Sequence, residues 1–175
     1  LVFVAVVLPL LVAGLVGLLY FSGVRTGEGF RTPAACSLLT QAQVAVYVPG
    51  AVQGADGDGY YCPWSEPLAA KDPAGRLIVA VETLPGERPT VEDAKREYGV
   101  RRRQADKPGT TITSLSIGDE TFMACAARSC ETYTRVRNVV FSLDFESYPV
   151  ANAREPASSV RALAAEAVSQ LRHPS

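Results

Sequence analysis

Histidine is nearly absent from this chain: the one imidazole in 175 residues, His173, stands third from the end. Nucleophilic mechanisms of the Ser-His-Asp or Cys-His kind need a histidine held by a third group. A residue in a terminal tail is badly placed for that. No G-x-x-x-x-G-K-[ST] or G-x-G-x-x-G run occurs, so a phosphate-cradling loop has no support. No C-x-x-C pair occurs either, which sets aside a thioredoxin-like dithiol. There is no excess of one charge, with 17 basic residues against 18 acidic. A global field that would recruit nucleic acid is therefore missing. Lysine is scarce: Lys71, Lys95 and Lys107 stand beside 14 arginines. With abundant Ala, Val and Gly, that bias suggests a GC-rich bacterial genome and nothing about activity.

Charge is wholly absent from residues 1–22, LVFVAVVLPLLVAGLVGLLYFS. A bilayer core of ~30 Å takes about 20 such residues as a helix. A cleavable signal would have a shorter apolar region followed by a small-x-small site, whereas Tyr20 and Phe21 occupy the places where small residues belong. Residues 1–22 are expected to be an uncleaved single-pass anchor, with a cytoplasmic leader preceding Leu1. Pro9 is tolerated there if the carbonyl it frees is satisfied locally. Residues 23–35, rich in Gly, Pro and Thr, read as a juxtamembrane linker. Residues 36–172 then form one domain, within the usual size for a single core.

The four cysteines decide the compartment. Cys125 and Cys130 have four residues between them and Cys36 and Cys62 have twenty-five. Neither spacing, with no usable histidine, suits a zinc site built from short knuckles. An even cysteine count beside a membrane span reads as disulfides in an oxidising compartment. If 126–129 form a hairpin loop, Cys125 and Cys130 sit directly opposite each other at a cross-strand separation that suits a bridge. Cys36–Cys62 follows by elimination, and closing its longer loop is worth ~3 kcal/mol on the chain-entropy model. The soluble domain is accordingly expected outside the cytoplasm. Arg25 and Arg31 pull the other way by the positive-inside rule, but two arginines near Glu28 weigh less than two disulfides.

Along the domain, Thr40 and Gln43 form a T-x-x-Q capping box that opens a short helix over 41–48, stopped by Pro49-Gly50. A glycine-rich loop leads to a strand at 60–64. The apolar run 76–84 reads as a strand covered on both faces. Thr90 and Asp93 cap an amphipathic helix over 91–105, with Val91, Ala94, Tyr98 and Ala105 on its inner face and Gly99 as a weak point. From 110 to 147 strand follows strand, with turns at 118–119, 126–129 and 137–138. Val139, Phe141, Leu143 and Phe145 alternate with Val140, Ser142, Asp144 and Glu146. Pairing Val136 with Val139 and Thr134 with Phe141 makes one hairpin face apolar. Pro149 and Pro156 bracket a loop, and Ser158 or Ser159 caps a last helix buried through Val160, Leu163, Ala164, Ala167, Val168 and Leu171. The fold class is α+β, a mainly antiparallel sheet with helices packed on it.

Candidate chemistry is thin. The register places Glu131 opposite Asp144 with Glu146 further along, and two carboxylates can divide acid and base roles when their environments differ; screened surface charge is the plainer reading. Asp56-Gly57-Asp58-Gly59 has the look of a calcium loop, but the twelfth position falls on Pro67 where a bidentate carboxylate belongs. Trp64 beside Cys62 reads as a core aromatic. The run KREYGVRRRQADK gathers Lys95, Arg96, Arg101, Arg102, Arg103 and Lys107 within thirteen residues. Such a run is commonly a solvated helix face. Its functional reading is contact with an anionic partner, such as lipid headgroups or an envelope polyanion. No catalytic residue, metal or cofactor is expected.

Ala35-Cys36-Ser37-Leu38-Leu39-Thr40, the Cys62-x-Trp64 strand, the Ile117-Gly118-Asp119-Glu120 turn, the Arg137-Asn138-Val139-Val140 hairpin and the Ala-rich final helix resemble actinobacterial secreted proteins and lipoproteins that carry a Cys-Ser-Leu-Leu-Thr signature. The resemblance spans about residues 33–172. It implies helices on an antiparallel sheet, similar to the extracellular sensor domains of mycobacterial Ser/Thr kinases and to the PsbP-like fold, and it also implies the Cys36–Cys62 bridge. It transfers no catalytic residue, and a bare span replaces the lipobox cysteine of many members. The sequence thus points to a non-catalytic, membrane-anchored, extracytoplasmic binding or sensing module for a small molecule, peptide or envelope component. The alternative is a structural or partner-binding envelope protein, and further off a carboxylate-dependent hydrolase. If the cysteines are all bridged, intact mass of the full chain will show four alkyl groups added only after reduction; labelling without reductant, or a retained metal, would overturn the compartment argument.

Overall fold

The computed structural model describes residues 30–55, 58–66, 75–86, 88–147 and 155–173. The expected span, 1–22, lies outside them, as does most of the linker. Among the described residues no helix is long and apolar enough to cross a membrane. A 3₁₀ turn, Ala35–Ser37, leads to α1 (Gln41–Ala45), then β1 (Val52–Gln53), β2 (Tyr61–Ser65), β3 (Gly75–Val81), α2 (Val91–Ala105), β4 (Thr111–Leu115), β5 (Glu120–Ala126), β6 (Ser129–Val136), β7 (Val139–Ser147) and α3 (Pro156–Arg172). The fold is α+β. Its strands form one seven-stranded sheet in the order β1-β2-β3-β7-β6-β5-β4, with every neighbouring pair antiparallel.

The period-two pattern of β7 explains the layering. Val139, Phe141, Leu143 and Phe145 point to one face, where they share a core with Leu77, Val79, Trp64, Cys62 and the stripe Val160, Leu163, Ala164, Ala167, Val168 and Leu171 of α3. Each fully buried aromatic or aliphatic side chain there contributes roughly 1.5–3 kcal/mol. Val140 points to the other face and joins Phe122, Ala124, Leu84, Ala94 and Tyr98 beneath α2. The sheet is therefore covered by α1 and α3 on one side and by α2 alone on the other.

Several local expectations need correction. Neither Ser158 nor Ser159 caps α3: Glu155 does, its carboxylate accepting the Ser158 N–H at 3.2 Å, and Pro156 is the first helical residue. Proline fits there because its missing N–H has no partner at a helix start. The helix expected over 41–48 ends at Ala45, although its capping box is present. The glycine-rich stretch hides a two-residue strand, β1. The 76–84 strand stops at Val81, and its outer side chains Ile78 and Ala80 are half-buried where a fully covered strand was expected. Val91 is 40% exposed and lies off the inner face of α2.

Both bridges are present, Cys36–Cys62 and Cys125–Cys130, and the second joins residues directly opposite in the β5–β6 register. The β6–β7 turn is held more elaborately. Arg137 adopts φ 53°, a region that costs a non-glycine residue about 1–2 kcal/mol. Its N–H donates to Asp119 at 2.6 Å and its guanidinium lies 5.0 Å over the Phe30 ring. Asn138 Nδ2 donates to the Phe30 and Pro89 carbonyls. Arg135, 6% exposed, reaches Asp119, Glu120 and the Arg137 carbonyl. Removing a buried cation that satisfies two carboxylates leaves their charges uncompensated. Arg135→Ala will lower stability by roughly 2–3 kcal/mol in denaturant unfolding, less than for a fully buried pair because the carboxylates keep some water; a loss under about 0.5 kcal/mol would contradict this account.

Candidate functional site

The α2 side of the sheet is where chemistry-bearing groups gather. Reading across it, Ala124, Glu131, Asp144, Ile78 and Pro63 form one row, and Phe122, Tyr133, Ser142, Ala80 and Tyr61 form the next. α2 lies over β5, β6 and the adjoining part of β7, so Ile78, Pro63 and Ala80 on β2 and β3 stay half-buried and Tyr61 is exposed.

Glu131 faces Asp144 as the sequence pattern required. Burial pushes Glu131 above the ordinary glutamate range, the Tyr133 hydroxyl that donates to it opposes this, and the Asp144 charge adds to the rise. Asp144 is raised by burial, with Arg76 opposing and Glu146 reinforcing. Glu146 itself is taken by Arg76 at 3.0 Å in an exposed pair. Glu82, on the same face, is raised chiefly by burial despite Arg101. Tyr133 is pushed upward by burial and by its bond to Glu131.

The basic run does not form one face. Lys95 pairs with Glu92 at 2.7 Å and Arg96 with Asp93. Arg101 turns inward, pairs with Glu97 at 2.7 Å and with Glu82, and lies over the Tyr133 ring. Arg102 lies over Phe122, which meets Tyr98 edge-on and stacks on Tyr133, and donates to Ser114 Oγ at 3.3 Å. Arg103 and Lys107 have no ion-pair partner among the described residues. Only the last turn of the helix and the residues after it thus keep uncommitted cations.

Two of the cations, Arg102 and Arg103, border a shallow depression of about 510 Å³ lined also by Gly99, Asp106, Thr110 and Ile112. Gly99, which costs a helix about 1 kcal/mol relative to alanine, keeps its wall low; a Cβ there would stand 3.5 Å from the Arg103 guanidinium. Two guanidinium groups against the single carboxylate of Asp106, with Ile112 beside them, make a net cationic rim that suits an anion. Gly99 and the i,i+4 pair Glu97–Arg101 are readable in the sequence. The roles of Glu82, Tyr133, Thr110 and Ile112 are not, because other elements bring them in.

Trp64 is buried in the core as expected, its indole N–H without a partner. The backbone of His173 ends α3 by donating to Ser169. Asp56 and Gly57 lie outside the described residues, among which no group of three or more His, Cys, Asp or Glu could hold a metal ion.

No family model and no curated protein matches the chain. A crystal structure from Bacteroides thetaiotaomicron VPI-5482 is similar at 16% identity with a TM-score of 0.35, over 65% of this chain and 40% of that one. A likeness of that extent carries no argument about what this chain does.

The raised carboxylates have a pH consequence. A carboxyl whose pKa is higher folded than unfolded binds more protons in the folded state, so stability falls as pH rises through that interval. Glu131→Gln keeps an acceptor for Tyr133 and removes the charge. Its melting temperature will exceed wild type at pH 7, and the gain will vanish below the ordinary glutamate value of 4.5; a gain independent of pH would contradict the burial assignment.

Proposed function

We propose that this chain is a non-catalytic, extracytoplasmic binding module, tethered at the membrane through residues 1–22, that engages an anionic envelope component at the C-terminal end of α2. The observation that carries the reading is the depression beside Gly99, where Arg102 and Arg103 stand around Ile112 and Thr110. Most other cations of the run are committed to carboxylates of their own chain, so any anion attracted to α2 is drawn to this end. Two bridges in a domain of this size favour an oxidising compartment, and the uncharged N-terminal segment favours the membrane as its tether.

The basic groups act at short range, so binding will weaken with salt. Titrating the full chain in nanodiscs with citrate and with inorganic phosphate, wild type will bind and the Arg102→Ala/Arg103→Ala variant will lose about 10-fold in affinity, as expected for charge-assisted hydrogen bonds. Equal binding by the variant would remove the site. Protease added to spheroplasts should cut the domain if it is extracytoplasmic.

A second reading, a carboxylate-dependent hydrolase, is favoured by one observation: Glu131 and Asp144 are cross-strand neighbours, both half-buried and both raised in pKa. They stand on a broad sheet face, which gives a water-excluding reaction little shelter.

A further inference from the structure

The two edges of the sheet are treated differently. β1 is two residues long and is blunted by its brevity. β4, at the opposite edge, runs Thr111-Ile112-Thr113-Ser114-Leu115, five residues without a charge or a proline, and its Thr111, Thr113 and Ser114 are exposed. Proteins generally protect an edge of this kind with charge, proline, a bulge or a covering element. Among the described residues none of these guards it.

Which backbone groups face outward follows from the hydrogen-bond phase. Ser147 N–H donates to the Arg128 carbonyl at 3.0 Å, one step beyond the Ser129–Glu146 pair. Antiparallel residues alternate between hydrogen-bonded and open pairs, so Cys130 bonds toward β7 and away from β5. Cys125, opposite it, then bonds toward β4, where its partner is Thr111. The 4.1 Å Cα separation of Cys125 and Cys130 agrees with an open pair. Carried one strand further, the N–H and C=O groups of Ile112 and Ser114 point out of the sheet.

The side chains of these two residues lie on the α2 face. Ile112 lines the depression together with Arg103, and Arg102 reaches over Ser114. A strand added antiparallel to β4 would set its own residues opposite Ile112 and Ser114, side chains on that face, about 5 Å away. Carboxylates at those two positions, separated by one residue, would stand beneath Arg102 and Arg103. The intervening side chain would fall beside Thr113 on the other face. Asp106 at the rim repels a third acid, so the match is to two spaced carboxylates rather than a long acidic run.

We infer that β4 is the docking edge for an extended partner peptide carrying acidic residues at alternate positions, joined by main-chain bonds to Ile112 and Ser114 and by carboxylate pairing to Arg102 and Arg103. This deepens the reading of the depression as an anion site and rests on it. Strand addition supplies affinity through the backbone, and the flanking groups supply specificity.

The test uses the full chain in nanodiscs and three labelled probes: Val-Glu-Val-Glu-Val, the same peptide N-methylated at both glutamates, and Val-Lys-Val-Lys-Val. Only the first will bind. Ser114→Pro, which removes an N–H that faces solvent and is tolerated on an edge strand, will weaken it by about 10-fold or more, with Ser114→Ala as the control. Arg102→Glu/Arg103→Glu will exchange preference toward the lysine peptide. Should Ser114→Pro fail to fold, the N-methylated probe tests the same ladder on unaltered protein. Equal binding of the N-methylated peptide, or binding of phosphate and citrate but of none of the three peptides, would overturn strand addition and leave the anion site standing. Binding of no anion and no peptide would overturn both. A dimer in sedimentation that Ser114→Pro dissociates would assign the edge to a second copy and overturn the peptide.

Discussion

Burial of β7 on both of its faces is the constraint on which the other elements depend. Val139, Phe141, Leu143 and Phe145 need α3 over them, while Val140 needs α2. A slip of one residue would send the four large side chains to the half-covered face and bring Ser142, Asp144 and Glu146 into the main core. That penalty sets the registers of β3 and β6 against β7, and through β6 the register of β5 and β4. The groups around the β6–β7 turn act at the same place. Arg135 ties it to the Asp119–Glu120 turn, and Asn138 ties it to the chain entering at Phe30 and to the start of α2.

The asymmetry of the two sheet faces follows from composition. α3 is rich in alanine, so it packs close and its whole inner stripe is buried. α2 is charged along most of its length and buries only Ala94 and Tyr98 fully. It covers β5, β6 and Val140 of β7, with Tyr98 edge-on to Phe122 and Phe122 stacked on Tyr133, and leaves β2 and β3 less covered. Polar groups at its border are consequently half-desolvated. Arg101, Glu82 and Glu97 meet one another there, whereas Glu131 and Asp144 are raised chiefly by burial, with the Asp144 charge adding to the rise at Glu131.

Seen together, the domain offers partners two kinds of surface. The β2–β3 part of the α2 face, with Asp144 and Glu146 of β7 at its border, is less covered, broad and shallow. The β4 edge is narrow, with main-chain groups along it and cations above it, which suits an extended partner better than a compact one. Neither bridge includes a residue of β4: Cys36–Cys62 ties the N-terminal turn to β2, and Cys125–Cys130 staples the β5–β6 hairpin, with Cys125 pairing to Thr111 of β4 through the main chain. They constrain the frame and leave β4 to the sheet alone.

By itself the sequence determined what short-range physics determines. Alternation along 139–146, the capping pairs Thr40–Gln43 and Thr90–Asp93, and cysteines flanking a tight turn each act within a few residues, so the α+β class, the β6–β7 register, the Glu131–Asp144 pairing and the Cys125–Cys130 bridge were legible, with Cys36–Cys62 left by elimination. The cap of α3 was misread because two serines compete with Glu155 as acceptors, and only packing selects among them. Strand β1 was invisible because two residues carry no periodicity. Lys95, Arg96 and Arg101 meet carboxylates within α2, but tertiary structure alone turned Arg101 inward onto Glu82 and Tyr133. That depends on where Glu82 and Tyr133 arrive from other strands, and such meetings are set by the global register, not by any local pattern. It also decided that β4 is an edge: strand order is a property of the assembled sheet, and no single strand encodes its own neighbours.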